Sequence, residues 1–111
     1  MPRLKVHPSL ITPALFRQHL KSLPDNIAGL SCSASECPIA KFLIRQTHLF
    51  RRNVAVSCVC TQVGKVDYQT PLWAARFMNT CDKLGRDAWH NPDQCPITKQ
   101  EALRILTETS R

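Results

Sequence analysis

The stretch from Ser35 to Gln69 constrains this chain most: a helix opened by Glu36-Cys37-Pro38-Ile39 and, behind it, a β-hairpin. Ser35 is placed to act as N-cap, and Pro38 suits a first helical turn, where no intrahelical N–H bond is required. Helical spacing then sets Lys41, Arg45, His48 and Arg52 on one narrow face. Ile39, Leu43 and Phe50 fall opposite, with Ala40 and Thr47 to one side and Phe42 and Leu49 to the other. One side is built for a core, the other for water or an anionic partner. Charged stripes are normal on solvated surface helices; evenly spaced cations also suit a phosphate backbone, whose charge they neutralise.

The pattern carries this helix to about Arg51, and Asn53 breaks it. Val54, Val56, Cys58 and Cys60 alternate with Ala55, Ser57 and Val59, which predicts a half-buried strand with both cysteines on one face. Gly64-Lys65 predicts the turn, and Val66-Asp67-Tyr68 the returning strand.

Upstream, Thr12-Pro13 pairs a cap with a proline and predicts a helix start. Leu15, Phe16, His19, Leu20 and Leu23 supply its apolar side; Arg17 and Lys21 sit one turn apart on the polar side. His19 reads as a core-edge histidine with satisfied hydrogen bonds rather than as a ligand. Residues 24–35, rich in Ser, Asn and Gly, read as a loop. Downstream, Thr70-Pro71 repeats the cap-plus-proline signal. The third helix then carries Leu72, Trp73, Phe77, Met78, Cys81 and Leu84 on its apolar side, and Gly85 is expected to end it. Trp73 and Phe77 have core spacing rather than that of a base-stacking platform. Asp87 to Pro96 reads as a loop holding Trp89. Thr98 and Glu101 form a capping box for a last helix, with Ala102, Leu103, Ile105 and Leu106 as its apolar side. Glu36-Cys37-Pro38-Ile39-Ala40-Lys41 is echoed by Gln94-Cys95-Pro96-Ile97-Thr98-Lys99, which suggests one helix-opening device used twice. The expected architecture is a small single α+β domain over residues 13–108, in the order α-α-β-β-α-α, with one β-hairpin packed on the helices. Residues 1–12 would form a basic arm and 109–111 a frayed tail.

The net charge of +7 is one-sided. Residues 1–65 hold nine Lys and Arg against Asp25 and Glu36, whereas residues 66–111 hold six of each sign. This favours an acidic partner for the N-terminal half, either nucleic acid or an acidic protein surface. The N-terminus has no apolar run resembling a signal peptide, and nothing approaches a membrane span. A cytoplasmic location is therefore expected, with the six cysteines as thiols.

No catalytic signature is present. Three glycines are too few for a phosphate loop, and neither G-x-x-x-x-G-K-[ST] nor G-x-G-x-x-G occurs. A Cys–His pair through His48 or His90 has no accompanying oxyanion-hole loop or strand–turn–helix elbow. Cys58, Cys60, His90 and Cys95 are weak metal candidates, because their spacings do not make the paired knuckles of structural zinc. Neither a cofactor nor a catalytic residue is expected.

Residues 35–107 carry Glu36-Cys37-Pro38-Ile39-Ala40-Lys41-Phe42-Leu43, Pro71-Leu72-Trp73-Ala74-Ala75-Arg76-Phe77 and the run from Pro96 to Leu106. This pattern resembles short uncharacterised proteins of cyanobacteria and of phages or other mobile elements. The resemblance implies a small accessory protein and brings no site residues with it. The function expected is a basic, non-catalytic binding protein for nucleic acid or a nucleic-acid-handling complex. Its contacts would come from Lys41, Arg45, His48, Arg51 and Arg52 with Arg17 and Lys21. One alternative is a protein–protein inhibitor or adaptor presenting Trp89 and His90; another is a small zinc protein. The open edges of a hairpin leave room for a homodimer.

Overall fold

The structure, a computed structural model, describes residues 5–24, 26–30, 36–49, 53–89 and 96–109, with the backbone alone for 84–89. It is an α+β fold. A 3₁₀ turn at Pro8–Leu10 leads into α1 (Ala14–Ser22), β1 (Ile27–Leu30), α2 (Pro38–Thr47), β2 (Val54–Val56), β3 (Cys60–Val63), β4 (Val66–Gln69), α3 (Leu72–Trp89), β5 (Pro96–Thr98) and α4 (Lys99–Thr109). Two small antiparallel sheets form, β1-β5 and β2-β3-β4.

The central helix starts where its sequence says and ends early. Pro38 occupies the first turn, and the N-cap is Cys37, whose Sγ accepts from the Ala40 amide at 3.4 Å. Ser35, the expected cap, lies outside the described residues. The helix stops at Thr47. His48 takes a left-handed backbone (φ 58°) and returns its N–H to the Ile44 carbonyl. The run to Arg51 is thus cut by one turn, because the chain must reverse to bring Val54–Val56 into the sheet beside α2. No glycine or proline announces that reversal.

The expected hairpin is the outer part of a three-stranded meander. Val63 pairs with Val66 across the Gly64-Lys65 turn, and Gly64 supplies the positive φ of 63°. The preceding strand, read as continuous from Val54 to Cys60, folds back on itself at Ser57. The Ser57 hydroxyl accepts from the Val59 and Cys60 amides and donates to the Cys60 carbonyl, closing a turn with Val59 at its exposed tip. Cys58 therefore sits in the turn and Cys60 in β3, not on one face of one strand. Thr70 does not cap α3. Its hydroxyl donates to the Ser57 carbonyl at 2.7 Å, leaving the Thr61 hydroxyl to donate to it at 2.8 Å, so it pins the sheet under the helix.

The other sheet joins distant segments. Residues 27–30, read as loop, form β1 and pair with β5 from the second Cys-Pro-Ile stretch. Pro96-Ile97 is thus a strand, while Pro38-Ile39 is helical, and the two echoes are not one device. Gly29 faces the start of α2 so closely that a Cβ there would lie 2.6 Å from the Pro38 nitrogen and 2.7 Å from the Glu36 oxygen. The Thr98–Glu101 box forms as expected, with Thr98 Oγ1 accepting from the Glu101 amide at 3.1 Å.

The core gathers Phe16 and Leu20 of α1, Ile39, Ala40, Phe42 and Leu43 of α2, Ala74, Phe77 and Cys81 of α3, and Ala102, Ile105 and Leu106 of α4. Phe16 is its hub, in ring contact with Phe42, Trp73 and Phe77. From Lys5 onward the expected arm packs on the domain: Leu10 is fully buried, its carbonyl accepts from Trp73 Nε1 at 2.9 Å, and the Lys5 carbonyl accepts from the Gln69 amide. Leu72, expected on the apolar side of α3, is exposed. Helix α3 runs through Gly85 to Trp89, so Asp87–Trp89, expected as loop, are helical. Glycine weakens a helix interior by only about 1 kcal/mol and need not end it. Among the described residues no helix is long and apolar enough to cross a membrane.

Candidate binding site

Helices α1 and α2 contain four Lys and Arg residues and no Asp or Glu. Lys21, Lys41 and Arg45 are exposed, and among the described residues no carboxylate pairs with them. Arg45 Nη1 donates to Ser22 Oγ at 3.3 Å, and Ser22 Oγ donates to the His19 carbonyl at 2.9 Å. This bridge ties the basic side of α2 to α1, immediately beside Lys21. His48 is exposed at the left-handed end of α2 and does not continue the stripe. Arg17 is half-buried and turns toward α4, where its guanidinium donates to Thr107 Oγ1 at 3.0 Å. Arg51, Arg52, His90 and Cys95 lie outside the described residues, and Trp89 is placed only as the last residue of α3. The structure thus brings Lys21, Lys41 and Arg45 to adjoining helices, with Arg17 drawn to one side.

Between these helices lies a cleft of about 270 Å³ lined by Leu15, Gln18, His19, Ser22, Arg45 and Gln46. Its floor is unusual. His19 is 6% exposed and packs against Phe16 and Phe42, yet no described group hydrogen-bonds to either ring nitrogen. The expectation of a satisfied histidine is overturned, since the aromatic side chains that bury the ring offer no acceptor or donor in its plane. Burial, reinforced by the Arg45 charge, pushes its pKa from 6.5 down to about 4, so the imidazole is neutral at neutral pH. A neutral ring presents one N–H donor and one acceptor nitrogen. The sequence marked His19 only as near an apolar side; that its edge lies unpartnered beneath a basic cleft depends on how α2 crosses α1.

The described cysteines make no comparable site. Among the described residues Cys37, Cys58, Cys60 and Cys81 are free, and no cluster of three or more His, Cys, Asp or Glu side chains comes together to hold a metal. Burial raises the pKa of Cys37 to about 11 and also drives that of Cys81 upward, which keeps both as protonated core thiols. Cys58 donates its thiol to Asn79 Oδ1 at 2.9 Å. Compared with known proteins, the chain matches no family, no curated protein and no solved structure.

Proposed function

We propose that the protein is a small, non-catalytic binding module that engages nucleic acid, alone or within a nucleic-acid-handling complex, through the α1–α2 face. The reading fits the small accessory role that the sequence resemblance implies. One observation carries it: two adjoining helices bear exposed Lys21, Lys41 and Arg45 and, over their full length, no acid to neutralise them. Phosphates would supply the missing countercharge, releasing condensed cations as they dock. The side chains are spread along the surface rather than gathered in a catalytic geometry, which suits backbone contact more than chemistry.

Binding of nuclease-treated protein to labelled DNA and RNA, measured across a salt series, tests the proposal. Affinity should fall steeply with salt, and each of Lys41→Ala and Arg45→Ala should weaken binding at all sequences while lowering the log–log slope by about 1. Salt-independent binding, or none at low salt, would overturn it.

A further inference from the structure

We infer that the α1–α2 cleft receives one unpaired nucleotide, with its base edge read by Gln18, His19 and Gln46 and its phosphate held by Arg45. The inference rests on the nucleic-acid reading above and names the ligand of that face.

Three features point to this class. The cleft, at about 270 Å³, is larger than an isolated phosphate needs and falls just short of the usual range of ligand pockets, roughly 300–1,000 Å³. Its lining joins one cation to four uncharged side chains that each both donate and accept, Gln18, His19, Ser22 and Gln46, with Leu15 as an apolar wall. Such groups match the mixed donor–acceptor edge of a nucleobase, and a glutamine amide can bond to one in bidentate fashion. Finally, His19 holds an unpartnered donor and acceptor in the floor, a costly arrangement that a base edge would relieve. Its nitrogens are buried, and Arg45, whose charge acts on the ring, hydrogen-bonds to Ser22 beside it. That single exposed hydrogen bond is a weak tie, which the guanidinium can exchange for a bidentate phosphate contact as the base displaces the side chains over the ring. A duplex cannot use the cleft without extruding a base, which costs a few kcal/mol.

The test compares short fluorescent single strands of DNA and RNA with duplexes of the same sequence, for the native protein and the double variant Gln18→Ala/Gln46→Ala. Both glutamines are exposed helix positions where alanine is well tolerated. The single strand should bind roughly tenfold tighter than the duplex, and the double variant should lose that advantage while its duplex affinity stays unchanged. In parallel, nucleoside monophosphates are titrated while the His19 ring signals are followed by NMR. A shift shows that the cleft accepts a free nucleotide. Single-strand preference without a shift assigns the cleft to a nucleotide within a strand. Equal affinities that the double variant leaves unmoved overturn the cleft assignment and leave the basic-face reading standing. Absence of binding by every probe overturns both.

Discussion

Replacing His19 with leucine should flatten the response of this protein's stability to mild acid. In the native fold the ring is 6% exposed and its pKa is pushed down to about 4, whereas in the unfolded chain it returns to 6.5. Between these values the unfolded chain binds a proton that the folded chain refuses, so stability rises with pH across that window and is lost as pH falls through it. At one proton and 1.36 kcal/mol per pKa unit, the loss is about 2 kcal/mol from pH 7 to pH 5 and about 3 kcal/mol by pH 4. For a chain of this size, 2 kcal/mol corresponds to a fall in Tm of roughly 10 °C. Urea unfolding at 25 °C at pH 7 and pH 5 measures the effect directly. His19→Leu removes the titrating group and two unpaired polar atoms while keeping an apolar side chain against Phe16 and Phe42. It should be no less stable than the native protein at pH 7. His7, whose pKa burial also lowers, contributes alike to both proteins. If the two lost the same stability between pH 7 and pH 5, the argument for an unpartnered, neutral His19 would be wrong.

Two backbone positions give further predictions. Gly29→Ala should destabilise by about 2–4 kcal/mol, because its Cβ would meet backbone atoms of Glu36, Cys37 and Pro38 at 2.6–2.8 Å and α2 would have to move off β1. Thermal unfolding checks this, and a Tm within a few degrees of native would show that the two segments do not approach as described. His48→Gly should stabilise by about 1 kcal/mol, since glycine adopts the left-handed conformation at the end of α2 without the steric cost that histidine bears. A lower denaturation midpoint in that variant would mean that the His48 side chain holds the turn.

The elements that sequence alone determined are those built from local rules. Pro38 with its fixed φ, Gly64 in a tight turn, and Thr98 with Glu101 across one helical turn each act within a few residues, and each stands where the pattern put it. The apolar faces of α2 and α4 were equally legible, because helical period and core burial are the same fact seen twice. Tertiary contacts decided the rest. Ile27–Leu30 becomes a strand only because residues 96–98, far along the chain, pair with it, and Gly29 matters only because α2 starts against it. Thr70 looked like a cap, yet its hydroxyl serves the sheet through Ser57 and Thr61. The end of α2 followed from the demand that β2 lie beside it, which cut the expected cationic stripe after Arg45. The candidate cleft belongs to this second group. Its side chains come from two helices, with Ser22 and Arg45 more than twenty positions apart in the chain, and the burial that leaves His19 without a partner exists only once α2 packs across α1. A sequence pattern encodes which residues share one helix face; the meeting of two faces depends on crossing geometry set by the whole core.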